Sequence, residues 1–288
     1  MKKKFEIFLS KIILILKKPQ MGILPGHLAF FFVLSIIPLI TLLVFFGSLL
    51  NIPSNELLEF FNKALPQGIS GILVPAFTEN AINIGTIILL IITFFVASNG
   101  ANSIIVTSNA LYNIHDDDIV RRRIKAIILT IIMLSLLIFM FVIPIFGEYI
   151  IDIIGNLFEN PNVHRNLDVI YNILQIPVSL LFIYFNIKLI YTLSPDKYVK
   201  SKEVTSGALF TTVSWVLVTQ IYSYYVTNFS NYSRVYGNLS NIIVLMFYMY
   251  FLAYVFVIGM AFNASRAELD ETIEKTGRIN LPKLKHNK

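Results

Sequence analysis

The sequence predicts an all-α integral membrane protein: six transmembrane helices, preceded by an amphipathic helix lying on the membrane surface. Three observations carry that expectation. The 288-residue chain is 56% hydrophobic and only 14% charged, where a soluble domain carries about 25% charge. Six stretches reach the roughly 20 apolar residues that a bilayer core demands. All but three of the 23 lysines and arginines fall in the termini, in alternate connections or, for Lys188, at the adjoining end of a span, the bias that orients membrane helices.

Residues 1–20 come first. Phe5, Phe8, Leu9, Ile12, Ile13 and Leu16 share one helical face, with Lys4, Lys11, Lys17 and Lys18 largely opposite. That pattern fits an interfacial helix. Lys11 interrupts the apolar run and no small-residue cleavage site follows, so the segment does not read as a signal peptide. Residues 21–265 form the membrane domain, with spans near 28–50, 84–111, 126–147, 169–193, 204–227 and 239–262. The first two spans hold no charge. The third lies between Lys125 and Glu148, and the fourth follows Asp168. The fifth follows Glu203, and the sixth runs between Arg234 and Arg266. Pro53, Pro66 and Pro75 punctuate the long connection 51–83. Residues 266–288 are a basic tail. The basic residues outside the favoured segments are Lys63, Arg165 and Arg234. Both termini are therefore expected in the cytoplasm.

Composition also removes function classes. The chain has 0 cysteines, which excludes disulfides, thiolate metal sites and cysteine nucleophiles. A net charge of +6 in so hydrophobic a chain points to topology rather than to nucleic acid. His27, His115, His164 and His286 fall in separate places, and no HExxH, Walker A or G-x-S-x-G pattern occurs. The run His115-Asp116-Asp117-Asp118 could bind a divalent cation. Consecutive side chains point around a helix, however, and Asp117–Arg121 and Asp118–Arg122 are i,i+4 pairs, so a charged helix start is the better reading. No catalytic residue, metal or cofactor is expected. No Asp, Glu, Arg or His lies at mid-span, where an ion-coupled transporter keeps a carboxylate. Lys188 lies near the cytoplasmic end of its span, where its stem can snorkel. Glu148 and Asp152 fall one turn apart near the outer end of span three.

Uncharged polar residues collect inside the spans. Ser98, Asn102 and Asn109 lie on span two, and Tyr250 and Asn263 on span six. On span five, Thr212, Trp215, Thr219 and Ser223 share a stripe with Thr205, Ala208 and Tyr222. Such residues either join helices or line a cavity facing the bundle interior. Pro38, Pro144 and Pro177 each free a helical carbonyl, and kinks there would open space between helices. Tyr232, Ser233, Arg234, Tyr236 and Gly237 are expected to form an ordered outer turn, with Gly237 able to take positive φ.

Three stretches resemble the YihY/BrkB family of bacterial inner-membrane proteins. The first is Pro25-Gly26-His27-Leu28-Ala29-Phe30-Phe31-Phe32-Val33-Leu34-Ser35-Ile36-Ile37-Pro38. The second runs from Leu193-Ser194-Pro195 through Gly207-Ala208 to Trp215. The third is Phe229-Ser230-Asn231-Tyr232-Ser233-Arg234-Val235-Tyr236-Gly237, followed by Tyr248-Met249-Tyr250 and Gly259…Asn263-Ala264. The chain departs from the family pattern at Ala261, where a Glu is usual, and at Tyr248, where a Trp is usual. The loop after span two is also rewritten around Asp116–Asp118. The resemblance implies a six-span protein of the cytoplasmic membrane with an envelope-related role. Members have carried a ribonuclease label, but this sequence offers no phosphodiesterase site. The expected function is transport or flipping of a lipid or other amphipathic envelope molecule through a polar-lined groove, with membrane lipids as partners. The alternatives are a structural or interaction protein of the envelope and, more distantly, a membrane-embedded enzyme.

Overall fold

A computed structural model of the chain describes residues 13, 17, 20–49, 84–115, 118–157, 161–229, 237 and 240–276. Six long helices account for most of them: α1 Gln20–Leu49, α2 Ile84–Leu111, α3 Ile119–Leu157, α4 Pro161–Leu193, α5 Thr205–Phe229 and α6 Ser240–Thr276. Four stretches among the described residues are long and apolar enough to cross a membrane: Met21–Leu42, Leu90–Leu111, Ile176–Leu193 and Ile242–Glu268. They lie in α1, α2, α4 and α6. Threonines, serines and tyrosines dilute α5, whose 25 residues span about 37 Å at 1.5 Å per residue. The N-terminal amphipathic segment, the 51–83 connection and the end of the tail lie largely outside the described residues. Within the first, Lys17 N donates to Ile13 O at 3.1 Å.

Several helices overrun the apolar stretches that mark them in sequence. α1 begins at Gln20 and α6 continues through Arg266 to Thr276. Helical hydrogen bonds are local and indifferent to hydropathy, so the charge boundary and the helix boundary need not coincide. Pro25 and Pro38 sit inside α1, and Pro177 inside α4.

The helices close a ring in chain order. Each packs on the next, α6 packs back on α1, and α1 with α3 and α2 with α6 make cross contacts. The surface is apolar, unlike that of a soluble protein, and buried polar groups sit among the apolar core. Ile91, Ile128, Ile176, Leu217 and Met246 face outward, each at least half exposed, while Ser103, Thr107, Asn109, Thr211, Asn263 and Ser265 are buried. Hydrocarbon tolerates the first set and punishes the second. The main core joins Leu28 of α1, Ile104 of α2, Tyr191 of α4, Ala208 of α5 and Phe256 of α6. Val199 and Val204, from the α4–α5 connection, are buried in the same core, so that connection is a plug and not a loose strap.

The α2–α3 connection is equally defined. Asn113 adopts φ 54°, Ile114 N donates to Asn109 O at 2.8 Å, and Asn113 N to Ala110 O at 3.4 Å. This is a Schellman stop, and asparagine is one of the few residues that accepts the left-handed position. Asp118 then caps α3, its Oδ1 accepting the Arg121 N–H at 2.9 Å, as an N-cap carboxylate does three residues ahead of its donor.

Candidate functional site

One end of the ring gathers the starts of α1, α3 and α5 with the ends of α2, α4 and α6, and it carries the basic connections. At its centre is a clamp. Lys125, in the second turn of α3, donates to Ser194 O at 2.9 Å, to Pro195 O at 2.8 Å and to Asp196 Oδ1 at 2.5 Å. Asn109, in the last turn of α2, donates to Asp196 Oδ2 at 2.6 Å and accepts the Asp196 backbone N–H at 2.9 Å. Pro195 supplies no N–H and α4 stops just before it. The carbonyls left at the helix end therefore need donors, and the Lys125 ammonium meets that of Ser194 together with the Pro195 carbonyl just beyond it. Burial pushes the Asp196 carboxyl up. The hydrogen bonds from Lys125 and Asn109, with the charges of Lys125 and Arg121, outweigh it and hold the group below its ordinary value.

Beside the clamp, Tyr112 is buried with its hydroxyl unpartnered among the described residues. Burial and the Glu203 charge push its phenol well up, so it stays neutral. Lys197 Nζ lies 4.8 Å from the Tyr112 ring centroid, within cation–π range. On the α2–α3 side, Arg123 donates to Asn99 Oδ1 at 2.8 Å and Phe95 O at 2.9 Å, and stacks 3.8 Å from the Phe95 centroid. His27 Nδ1 and Ser103 Oγ are 3.0 Å apart across α1 and α2.

The second feature is the α5–α6 seam. Gly207 and Gly259 let the two backbones meet. A Cβ on Gly207 would collide with the Gly259 carbonyl and the Asn263 amide, and one on Gly259 with the Thr211 hydroxyl and Tyr191 OH. From that crossing outward, polar groups of α5 engage α6 at successive turns. Gly207 N donates to Asn263 Oδ1 at 3.0 Å, which meets one of the unpaired N–H groups of the first turn of α5. Tyr191 OH of α4 shares a 2.8 Å hydrogen bond with Thr211 Oγ1 and donates to Phe256 O at 2.7 Å. Trp215 Nε1 donates to Leu252 O at 2.9 Å. Thr219 Oγ1 meets Tyr248 OH at 3.0 Å, and Tyr222 OH donates to Val244 O at 2.7 Å. Interhelical bonds in membranes average about 0.6 kcal/mol each, so the seam is a sum of modest terms.

The third feature is a groove of about 580 Å³ on the outer surface between α4 and α5. It is lined by Pro177, Leu180, Leu181, Tyr184, Leu209, Thr212, Val213, Val216 and Leu217. Pro177 removes an N–H donor from α4. Lys188, one turn beyond Tyr184 toward the basic end, holds its Nζ 5.7 Å from the Tyr184 ring centroid.

The residues singled out in sequence distribute among these features. Asn109 belongs to the clamp. Trp215, Thr219 and Asn263 belong to the α5–α6 seam. Thr212 lines the α4–α5 groove, and its hydroxyl donates back to Ala208 O at 2.8 Å. Ser98 is buried and donates to Phe95 O at 2.7 Å. Asn102 and Ser223 are half-buried. Tyr250 is exposed and packs on Phe251 and Tyr254. Gly237 takes φ +53°, while Tyr232, Ser233, Arg234 and Tyr236 lie outside the described residues. Of the histidine–aspartate run, Asp118 caps α3 and His115 is exposed; Asp116 and Asp117 lie outside the described residues. Sequence reasoning did not single out Lys125, Asp196, Tyr191, Thr211 or the Gly207–Gly259 crossing as functional or packing positions. The Ser194-Pro195-Asp196 stop was a usable signal, because a helix ending at proline strands carbonyls that some donor must meet. No group of three or more His, Asp or Glu that could hold a metal ion occurs among the described residues.

Comparison with known proteins adds the following. A family model described as Virulence factor BrkB matches residues 18–280. Over 244 residues the chain is 27% identical to YfkH of Bacillus subtilis, whose name describes it as ribonuclease-like; the match covers 83% of this chain and 87% of that protein. A UPF0761 membrane protein of Haemophilus influenzae is 30% identical over 98 residues, 34% of this chain and 36% of that protein. Another, of Idiomarina loihiensis, is 30% identical over 93 residues, 32% of each chain. No solved structure matches.

Proposed function

The chain belongs to the BrkB family of multi-pass membrane proteins, and from that premise we propose that it moves a lipid or other amphipathic envelope molecule between leaflets along the α4–α5 groove. In this reading all six helices span the bacterial cytoplasmic membrane, and the basic end faces the cytoplasm. The observation that supports it is the groove itself. Its volume of about 580 Å³ falls in the ordinary range for ligand sites, about 300–1,000 Å³. Its walls are apolar except for the Tyr184 and Thr212 hydroxyls, not the polar lining expected from sequence, because Trp215, Thr219 and Tyr222 turn toward α6 instead; Lys188 stands at the basic end where a phosphate would enter. An acyl chain fits such walls, and its headgroup would meet a cation at one end. Without a mid-span carboxylate or a nucleotide site, the movement would be passive.

The test is flipping in vesicles. Protein reconstituted with a fluorescent phospholipid should speed exposure of the inner-leaflet probe to an impermeant quencher. Val213→Trp, which fills the groove from an exposed position, should abolish the acceleration while leaving thermal stability in detergent unchanged. Vesicles with wild-type protein that exchange lipid no faster than protein-free vesicles would end this reading. The α5–α6 seam favours the second reading, a structural or interaction protein of the envelope, because it spends the polar groups of α5 on packing.

A further inference from the structure

A second cleft lies on the other side of α4, at the basic end, between the start of α3 and the segment that follows α4. It encloses about 790 Å³ and opens outward. Its wall changes character with depth. Val120, Ile124 and Ile128 recur every four residues along one face of α3 and are 69%, 55% and 51% exposed. That face continues into the apolar run that begins at Ala126. Arg121 and Lys197 stand at the mouth, both exposed. Tyr198, 88% exposed at the rim, is the amphipathic kind of residue that marks a headgroup layer.

The carboxylates in the cleft are already engaged. Asp196 is held by Lys125 and Asn109, and Asp118 caps α3. Asp118 and Asp196 offset two of the three cations Arg121, Lys125 and Lys197, so the cleft keeps a net positive charge, carried at its mouth by the exposed Arg121 and Lys197, while the wall along Ile124 and Ile128 is apolar. A soluble anion would use the mouth and waste the wall. A neutral lipid would use the wall and not the charges. Only an anionic amphipath matches both.

We infer that this cleft seats an anionic phospholipid of the adjoining leaflet, its phosphate between Arg121 and Lys197 and one acyl chain along Val120, Ile124 and Ile128. The site goes beyond the transport reading and does not depend on it, since it uses α3 and the opposite side of α4 from the groove. A lipid held there braces α3 against the 195–199 segment, so its binding stabilises the fold.

The experiment titrates purified protein in neutral detergent with phosphatidylglycerol or phosphatidylcholine, reading thermal stability and, by native mass spectrometry, retained lipid. Phosphatidylglycerol should raise the melting temperature and remain bound; phosphatidylcholine should do neither. The double variant R121Q/K197Q should weaken phosphatidylglycerol binding about thirtyfold, the factor for two basic residues at an anionic headgroup. The charge-keeping R121K/K197R should bind as wild type. Should the glutamine variant fold poorly, Ile124→Trp, which obstructs the acyl wall from an exposed position, should weaken the same binding. Wild-type affinity in the glutamine or tryptophan variant would overturn the inference, as would equal stabilisation by phosphatidylcholine. Inorganic phosphate reproducing the full shift would overturn it too, by showing an anion site with no lipid. Val213→Trp should keep this binding, so loss of flipping and loss of this site are separate results.

Discussion

Lys125 and Asp196 show how a charged pair can be held at the edge of a membrane without being left uncompensated. Both side chains are largely shielded, at 25% and 15% exposure, and each has further partners. Removing one leaves the other buried and unpaired, which costs more than the pair contributes. Lys125→Met strands the Ser194 and Pro195 carbonyls as well as Asp196, and should lower stability by about 2 kcal/mol, read as a fall in melting temperature in detergent. The pH dependence has a definite sign. The Asp196 pKa is lowered in the folded chain, so its contribution is fully present above the unfolded aspartate value of about 3.9 and is lost as pH falls through the lower folded value. Asp196→Asn should start less stable at neutral pH and lose less below pH 4 (the ordinary aspartate value, about 3.9) than wild type. Little of this was legible in sequence. Lys125 read as one of many topology-setting cations, and nothing local to Asn109 or Asp196 reveals that residues 87 positions apart share two hydrogen bonds.

At the scale of elements, the helices were legible and their ends were not. Charge-free runs locate α1 and α2 from composition alone, whereas the start of α1 and the continuation of α6 to Thr276 depend on backbone hydrogen bonding, which leaves no mark in hydropathy. The stripe on α5 is a mixed case. Trp215, Thr219 and Tyr222 follow the helical period and do meet α6. Thr211 lies beside that stripe yet carries the bond to Tyr191 of α4, because it follows Gly207 and precedes Trp215 on an i,i+4 row that faces Gly259 where Tyr191 also reaches in. Gly259 is the position on which the seam turns. Gly259→Ala would drive a methyl into Thr211 and Tyr191. Overpacking of this kind costs typically 1–3 kcal/mol, and the shift should unfold the protein several degrees earlier. Gly22→Ala, where an added Cβ meets nothing within 4 Å, should leave the melting temperature unchanged or slightly raised, since alanine favours the helix, and serves as the control.

For the whole molecule, neighbours in sequence are neighbours in space, whether the connection is short, as between α3 and α4, or the long 51–83 segment between α1 and α2. The α2–α3 and α4–α5 connections are tight and anchored by the Asn113 stop and the buried Val199 and Val204. Orientation is a property of the whole chain too. With the basic end inside, a cysteine at Ser201 should be protected from an impermeant thiol reagent in intact cells and one at Asn231 should react. The chain's lack of native cysteine keeps the background clean. Labelling of Ser201 from outside would reverse the topology.

The contact of α6 with α1 has a consequence for biosynthesis. Five of the six neighbour contacts can form as each helix leaves the ribosome, but the last joins the first helix made to the final one. Until α6 arrives, Gly207 N–H and Trp215 Nε1 lack the acceptors they meet on it, and the flank of α1 that packs on Tyr248 and Phe256 stands open. A chain truncated before Ser240 is an open horseshoe with unmet donors along one rim. Such a product should be degraded faster in cells than the full chain, because the contacts that close the ring wait for the last helix.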